Sequence, residues 1–103
     1  VMDVDALREN RTSQNDDGAV AAPITNFDFG DIVVDVGETI RFNNADSVPH
    51  TVTAGSAFDP LVDDFDSGLL GTADTFDLSF DEAGSYDLFC VLHPDMTATI
   101  TVE

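Results

Sequence analysis

Two histidines, one cysteine and two methionines are this chain's whole supply of soft metal donors. Cys90, His93 and Met96 fall within seven residues, Cys-Val-Leu-His-Pro-Asp-Met, and His50 stands forty positions before the cysteine in Val-Pro-His-Thr-Val. Singly, each has an ordinary explanation: a lone Cys is most often a small buried hydrophobe and a Met is core filler. Jointly, a Cys-x2-His-x2-Met run with one distant His is hard to produce by chance. A thiolate, two imidazoles and a thioether make a soft, mixed donor set. Two His and a Cys in a plane with a weak axial Met suits copper in one-electron transfer. With every position filled by protein there is no open site for a substrate, which points away from an enzyme. One Cys excludes an intramolecular disulfide, a four-cysteine zinc site, an iron–sulfur cluster and a binuclear copper centre with two bridging thiolates. Two His are too few for a multi-histidine copper cluster.

These donors need a rigid frame, and the hydrophobic period supplies one. From about residue 19 the period is two. Phe27 and Phe29 alternate with polar neighbours. Ile32, Val34 and Val36 share a face before Gly37, and Ile40 and Phe42 run to Asn43-Asn44-Ala45-Asp46. Phe76, Leu78 and Phe80 alternate with Asp77, Ser79 and Asp81; Tyr86, Leu88 and Cys90 repeat the pattern, and Ala98, Ile100 and Val102 follow. At least six short strands with turn signals between them predict an all-β sandwich with one apolar face per strand. Cys90 then ends an inward-facing strand, His93 and Met96 come from the hairpin loop after it, and His50 from a neighbouring strand end. Pro49 and Pro94 restrict the backbone beside each His. The Asp- and Gly-rich stretch 55–75 reads as a long loop with room for a turn of helix. Residues 1–18 read as an extension or linker with a short helical turn around Asp5 to Glu9 and a chance-level glycosylation pattern at Asn10-Arg11-Thr12. Residues 19–103 form the domain.

The charge is one-sided. In 103 residues there are 21 Asp and Glu against three Arg, a formal net charge of −18, although 43% of residues are hydrophobic and eight are Phe. That hydrophobic content belongs to a folded chain, not a disordered acidic one. The acidity excludes a nucleic-acid phosphate site and an anionic lipid surface as partners. No apolar run reaches the ~20 residues of a membrane span. A solvated surface adapted to concentrated salt, where screening weakens self-repulsion, is the favoured cause. Asp63, Asp64 and Asp66 as a docking face for a cationic partner is the minority one.

From Asp31 to Glu103 the sequence resembles the cupredoxins, small blue copper proteins, and within them the plastocyanin/amicyanin/halocyanin group. The matching stretches are Val33-Val34-Asp35-Val36-Gly37-Glu38-Thr39-Ile40, Val48-Pro49-His50-Thr51-Val52, the run Phe80 to Cys90, and the closing Thr-Ile-Thr-Val strand. The two-residue gap from His93 to Met96 is similar to amicyanin, and the acidity is similar to halocyanins of salt-loving archaea. The resemblance implies a Greek-key β-sandwich (cupredoxin-like) carrying one type 1 copper, with His50, Cys90 and His93 as strong equatorial ligands and Met96 as the weak axial one. It implies that His93 reaches the surface as electron port through a patch to which Pro49, Leu92 and Pro94 belong, with Asp95 where amicyanins carry an apolar residue. Thr51 stands where many members have an Asn that braces the ligand loop, yet its amide can still reach the Cys90 sulfur, as can that of Leu92. Phe89 corresponds to an aromatic that forms a lateral port in plastocyanins; an outward-facing strand aromatic is the plainer reading. Tyr86 is expected as a buried ring with its hydroxyl on backbone at a sandwich corner.

The expected function is single-electron transport by Cu(I)/Cu(II) cycling. The alternatives are copper storage or delivery, which a closed site without exposed Met- and His-rich tracts serves poorly, and a metal-free binding module. The expected partners are a redox protein donor and acceptor, with the chain a monomer. The expected location is an extracytoplasmic, membrane-associated or periplasm-like space, with the export signal and any tether in segments other than these 103 residues.

Overall fold

In the computed structural model, residues 18–103 are described. The expected N-terminal extension, its helical turn and the Asn10-Arg11-Thr12 pattern lie at or before Gly18, all but that glycine outside the described residues. Eight strands follow: β1 (Val20–Ile24), β2 (Ile32–Val34), β3 (Thr39–Asn44), β4 (Thr53–Ser56), β5 (Asp59–Pro60), β6 (Thr75–Ser79), β7 (Gly84–Cys90) and β8 (His93–Val102). They form a three-stranded sheet, β1-β3-β6, and a five-stranded sheet, β2-β8-β7-β4-β5. Strands β1 and β3 pair in parallel, as do β2 and β8, whereas β3–β6, β4–β7 and β7–β8 are antiparallel. The all-β sandwich read from the period is the fold.

Alternation explains the layers. Ile40 and Phe42 on β3, Ile32 and Val34 on β2, Leu88 and Cys90 on β7, and Ile100 and Val102 on β8 are all buried in one cluster. With the exception of Phe89, which is buried, their odd-numbered neighbours are exposed or at intermediate depth. Pro23 is tolerated in β1 because β1 is an edge strand, and there it is exposed. Arg41 and Asp77, register partners on β3 and β6, make a two-pronged ion pair with both N···O distances at 2.8 Å. The Tyr86 hydroxyl donates to the Glu82 carbonyl at 2.7 Å, and its half-buried ring stacks on Phe80 with centroids 4.1 Å apart. The hydroxyl-to-backbone bond is the one expected, although the ring is half-buried where a buried one was expected.

Three local expectations are corrected. Val36 lies beyond the end of β2 and is exposed, because the chain turns at Val36–Gly37, where Gly37 has φ +85°. Stretch 55–75 contains no helix among the described residues. Instead Gly55 begins a tight reversal into β5, where a Cβ would run into the Asp59 carbonyl oxygen. Segment 65–70 then runs back along 50–54 through Ala54 N–H to Phe65 O, Ser67 N–H to Val52 O, and the reciprocal His50–Leu70 pair. Finally, Phe27 and Phe29 are not strand neighbours. Asn26 and Phe27 are the two left-handed residues of a turn closed by Thr25 and Asp28, the arrangement of a type I′ turn. Only Phe29 enters the core.

Asn44, fully buried at the end of β3, organises the loop that follows. Its Nδ2 donates to the carbonyls of Val48 and Leu70, both at 2.8 Å, and its Oδ1 accepts from the Asp46 amide at 2.9 Å. Asn44→Ala takes these partners from the Val48 carbonyl and the Asp46 amide and removes one of two donors from the Leu70 carbonyl, which keeps the His50 amide. It should lower unfolding free energy by roughly 2–3 kcal/mol in a urea melt of the metal-free chain.

Candidate metal centre

The centre lies at one end of the five-stranded sheet, where β7 passes into β8. From Gly84 to Phe89 the two strands keep one register, Phe89 opposite Thr97; at the next step Cys90 lies opposite His93. The three residues Pro94, Asp95 and Met96 are thereby thrown out of the ladder. Such a bulge re-aims side chains without ending the pairing. The expected ligand loop is thus a two-residue turn, Val91–Leu92, and His93 and Met96 belong to β8 itself. His50 arrives from the other direction, fixed by its two backbone bonds to Leu70.

Ligand atoms of His50, Cys90 and His93 lie within 4.8 Å of one another. The Cys90 Sγ is 3.8 Å from His50 Nδ1 and 3.6 Å from His93 Nδ1. An ion about 2.3 Å from sulfur and about 2.05 Å from nitrogen, with ~120° between them, separates the two donors by about 3.8 Å. The spacing therefore fits donors arrayed around a soft ion. Met96 is buried in the same cluster as Cys90. Cys90 and His50 have no exposure, whereas His93 is half-buried. Pro49, Leu92, Pro94 and Asp95 are exposed beside them.

The sulfur accepts from the Thr51 amide at 3.3 Å, as anticipated. Among the described residues no such bond comes from Leu92. Phe89 alternates with Leu88 and Cys90 and lies outside their core cluster, on the other face of the sheet, but at 4% exposure it is covered there and does not reach the surface. The Thr51 side chain fills the bracing role assigned to Asn in relatives, because its Oγ1 accepts the Val91 amide at 2.9 Å. Thr51 Oγ1 is 3.0 Å from Thr53 Oγ1, and the Thr53 hydroxyl donates to the Asp66 carboxylate at 3.0 Å. Thr53 has spent its proton on Asp66, so Thr51 donates to Thr53. One polar chain thus runs from the acidic 59–66 stretch to the turn after Cys90.

Asp46 was not singled out in the sequence, yet it holds His50. Its Oδ2 lies 2.8 Å from His50 Nε2, while Oδ1 and Oδ2 accept the amides of Asn26 and Phe27 at 2.7 and 3.0 Å. An Nε2–H donated to a carboxylate leaves Nδ1 as the free lone pair, aimed at the sulfur. The Phe27 amide foremost, and then the His50 side chain, hold the Asp46 carboxyl below its ordinary aspartate value. The Phe27 ring meets both histidine rings edge-on. Thr51→Val, similar in shape, removes the acceptor for Val91 N–H. It should destabilise the chain by about 1–2 kcal/mol in chemical denaturation.

Comparison with known proteins agrees with this geometry. A family model described as copper binding proteins, plastocyanin/azurin family, matches residues 16–103. Amicyanin from Paracoccus versutus is 34% identical over 74 residues, covering 71% of this chain and 54% of that protein. Amicyanin from Paracoccus denitrificans is 30% identical over 99 residues, covering 84% and 67%. The chain thus spans only about half of the first of these relatives. The fold superimposes on an oxidized amicyanin variant with a TM-score of 0.73 at 26% identity, covering 86% of each chain. It superimposes on a purple cupredoxin from Nitrosopumilus maritimus with a TM-score of 0.68 at 30% identity, covering 81% of this chain and 96% of that one. With its soft donors converging at the β7–β8 turn of an all-β sandwich, the chain belongs to the plastocyanin/azurin family of copper-binding proteins.

Proposed function

We propose that residues 19–103 form a domain that carries single electrons between redox proteins through one type 1 copper. His50, Cys90 and His93 are its equatorial ligands and Met96 its axial ligand. The observation that carries this reading is the convergence of three soft donor atoms within 4.8 Å inside a closed sandwich. Bound copper supplies the one-electron couple; the protein's part is to keep the donors still while the charge changes. Asp46 fixes the His50 ring, Thr51 holds both the Cys90 sulfur and the turn behind it, and strand pairing fixes His93. A frame that moves little lowers the reorganisation that electron transfer requires. His93 is the ligand nearest solvent, so its ring edge is the route to a partner, and the exposed Pro49, Leu92 and Pro94 give that partner an apolar seat.

A donor and an acceptor protein are the partners, the chain acts as a monomer, and an extracytoplasmic space suits copper traffic. Burial of His50 and Cys90 argues against rapid metal exchange, and so against storage or delivery. The carboxylates are mostly exposed and dispersed over both sheets, the turns and the 59–66 stretch. That supports a surface solvated for high salt, with Asp63, Asp64 and Asp66 as a lesser docking candidate.

Cu(II) added to the metal-free chain should give an intense visible thiolate-to-copper band and a narrow hyperfine splitting; a colourless product sinks the reading. Cys90→Ser should abolish the band. Met96→Leu should keep the colour and raise the reduction potential, since the lost thioether donates more to Cu(II) than to Cu(I); an unchanged potential would remove Met96 from the axial position. Thermal midpoints measured from low to molar NaCl should rise steadily as the −18 charge is screened.

A further inference from the structure

Phe27 sits where the backbone least tolerates it. Asn26 and Phe27 have φ of 53° and 59°. A bulky residue in the left-handed region is strained, and the second position of such a turn ordinarily belongs to Gly. Strain kept in this way points to a use for the side chain. Here the ring lies 5.2 Å from the His50 ring and 4.8 Å from the His93 ring, centroid to centroid, at interplanar angles of 83° and 87°. It is 49% exposed, so one side meets solvent and the other meets both imidazoles. The turn is pinned by the paired bonds of Thr25 and Asp28 and by the Asp46 carboxylate, whose Oδ2 also takes His50 Nε2. The group that orients the buried histidine therefore also orients the ring above it.

We propose that Phe27 is the lid of the copper centre, and that Asp46 is the latch holding it down. This rests on the copper reading above and extends it to how the site is kept dry and loaded. The lid excludes water and chelators from the side of the site nearest solvent, and so slows copper loss. It also raises the reduction potential. Beside one thiolate the oxidised site carries one positive charge and the reduced site none, so admitting water favours the oxidised form.

The test uses Phe27→Gly, which removes the ring and relieves the backbone. Copper-loaded wild type and variant are challenged with excess EDTA while the visible band decays, and thermal midpoints are taken on the metal-free forms. The expected result is roughly three- to tenfold faster decay, the scale of the lost aromatic contacts. With it come a lower potential and a metal-free midpoint equal to or above wild type. Phe27→Asn, also tolerant of the left-handed region, should behave alike. Decay at the wild-type rate overturns the lid. So does faster decay with a lowered metal-free midpoint, which would mean that the ring acts through folding. A wild-type chain that takes up no copper overturns the copper reading itself, and the lid with it.

Discussion

The hydrogen bond between Asp46 and His50 is the contact on which the site's order depends. An imidazole can present either nitrogen, and a buried one without a partner has no reason to present the same one always. Asp46 settles this at 2.8 Å, and it is itself held from three sides. Its own amide donates to Asn44 Oδ1, and its carboxylate receives the Asn26 and Phe27 amides. Asn44 in turn ties Val48 and Leu70 to the end of β3. The orientation of one ring is thereby referred back to the paired strands of the smaller sheet, although its partner Cys90 belongs to the larger one.

The other half of the centre is built by displacement. β7 and β8 run in strict register for most of their length, then step by three residues at the bulge. A straight hairpin would set Cys90 opposite Met96 and carry His93 away into a longer loop. The step brings His93 back beside the sulfur and leaves Met96 buried. Thr51 secures the entry to the turn twice, its amide donating to the Cys90 sulfur and its hydroxyl oxygen accepting from the Val91 amide.

The four proposed ligands were legible because Cys and His are so rare in this chain that their spacing stands out. The strands were legible because burial on one face imposes a period of two. What escaped has a common cause: residue types that are plentiful or read two ways. Asp46 is one of 21 acids, and nothing in its type separates the one that bonds a histidine from those that only meet water. Thr51 and Thr53 look like strand residues, and only the folded chain lines up their hydroxyls. Phe27 two residues before Phe29 mimics strand alternation, because a turn that bears Phe in place of Gly carries no turn signal. Phe89 looked outward by alternation, but local pattern does not reveal what covers the second face of a sheet.

The parallel pairing of β2 with β8 joins Ile32 to Ile100, so the five-stranded sheet closes only when segments sixty-eight positions apart have met. Closure of this kind is slow compared with local hairpin formation, since chain entropy is lost before the pairing repays it. The hairpin bearing Cys90 and His93 can form early, but His50 and its Asp46 support come from a separate part of the chain. A chain in which that hairpin formed first would hold its thiol in a turn before the segment bearing His50 had enclosed it. In an oxidising compartment that order of events would set closure of the sandwich against oxidation of Cys90.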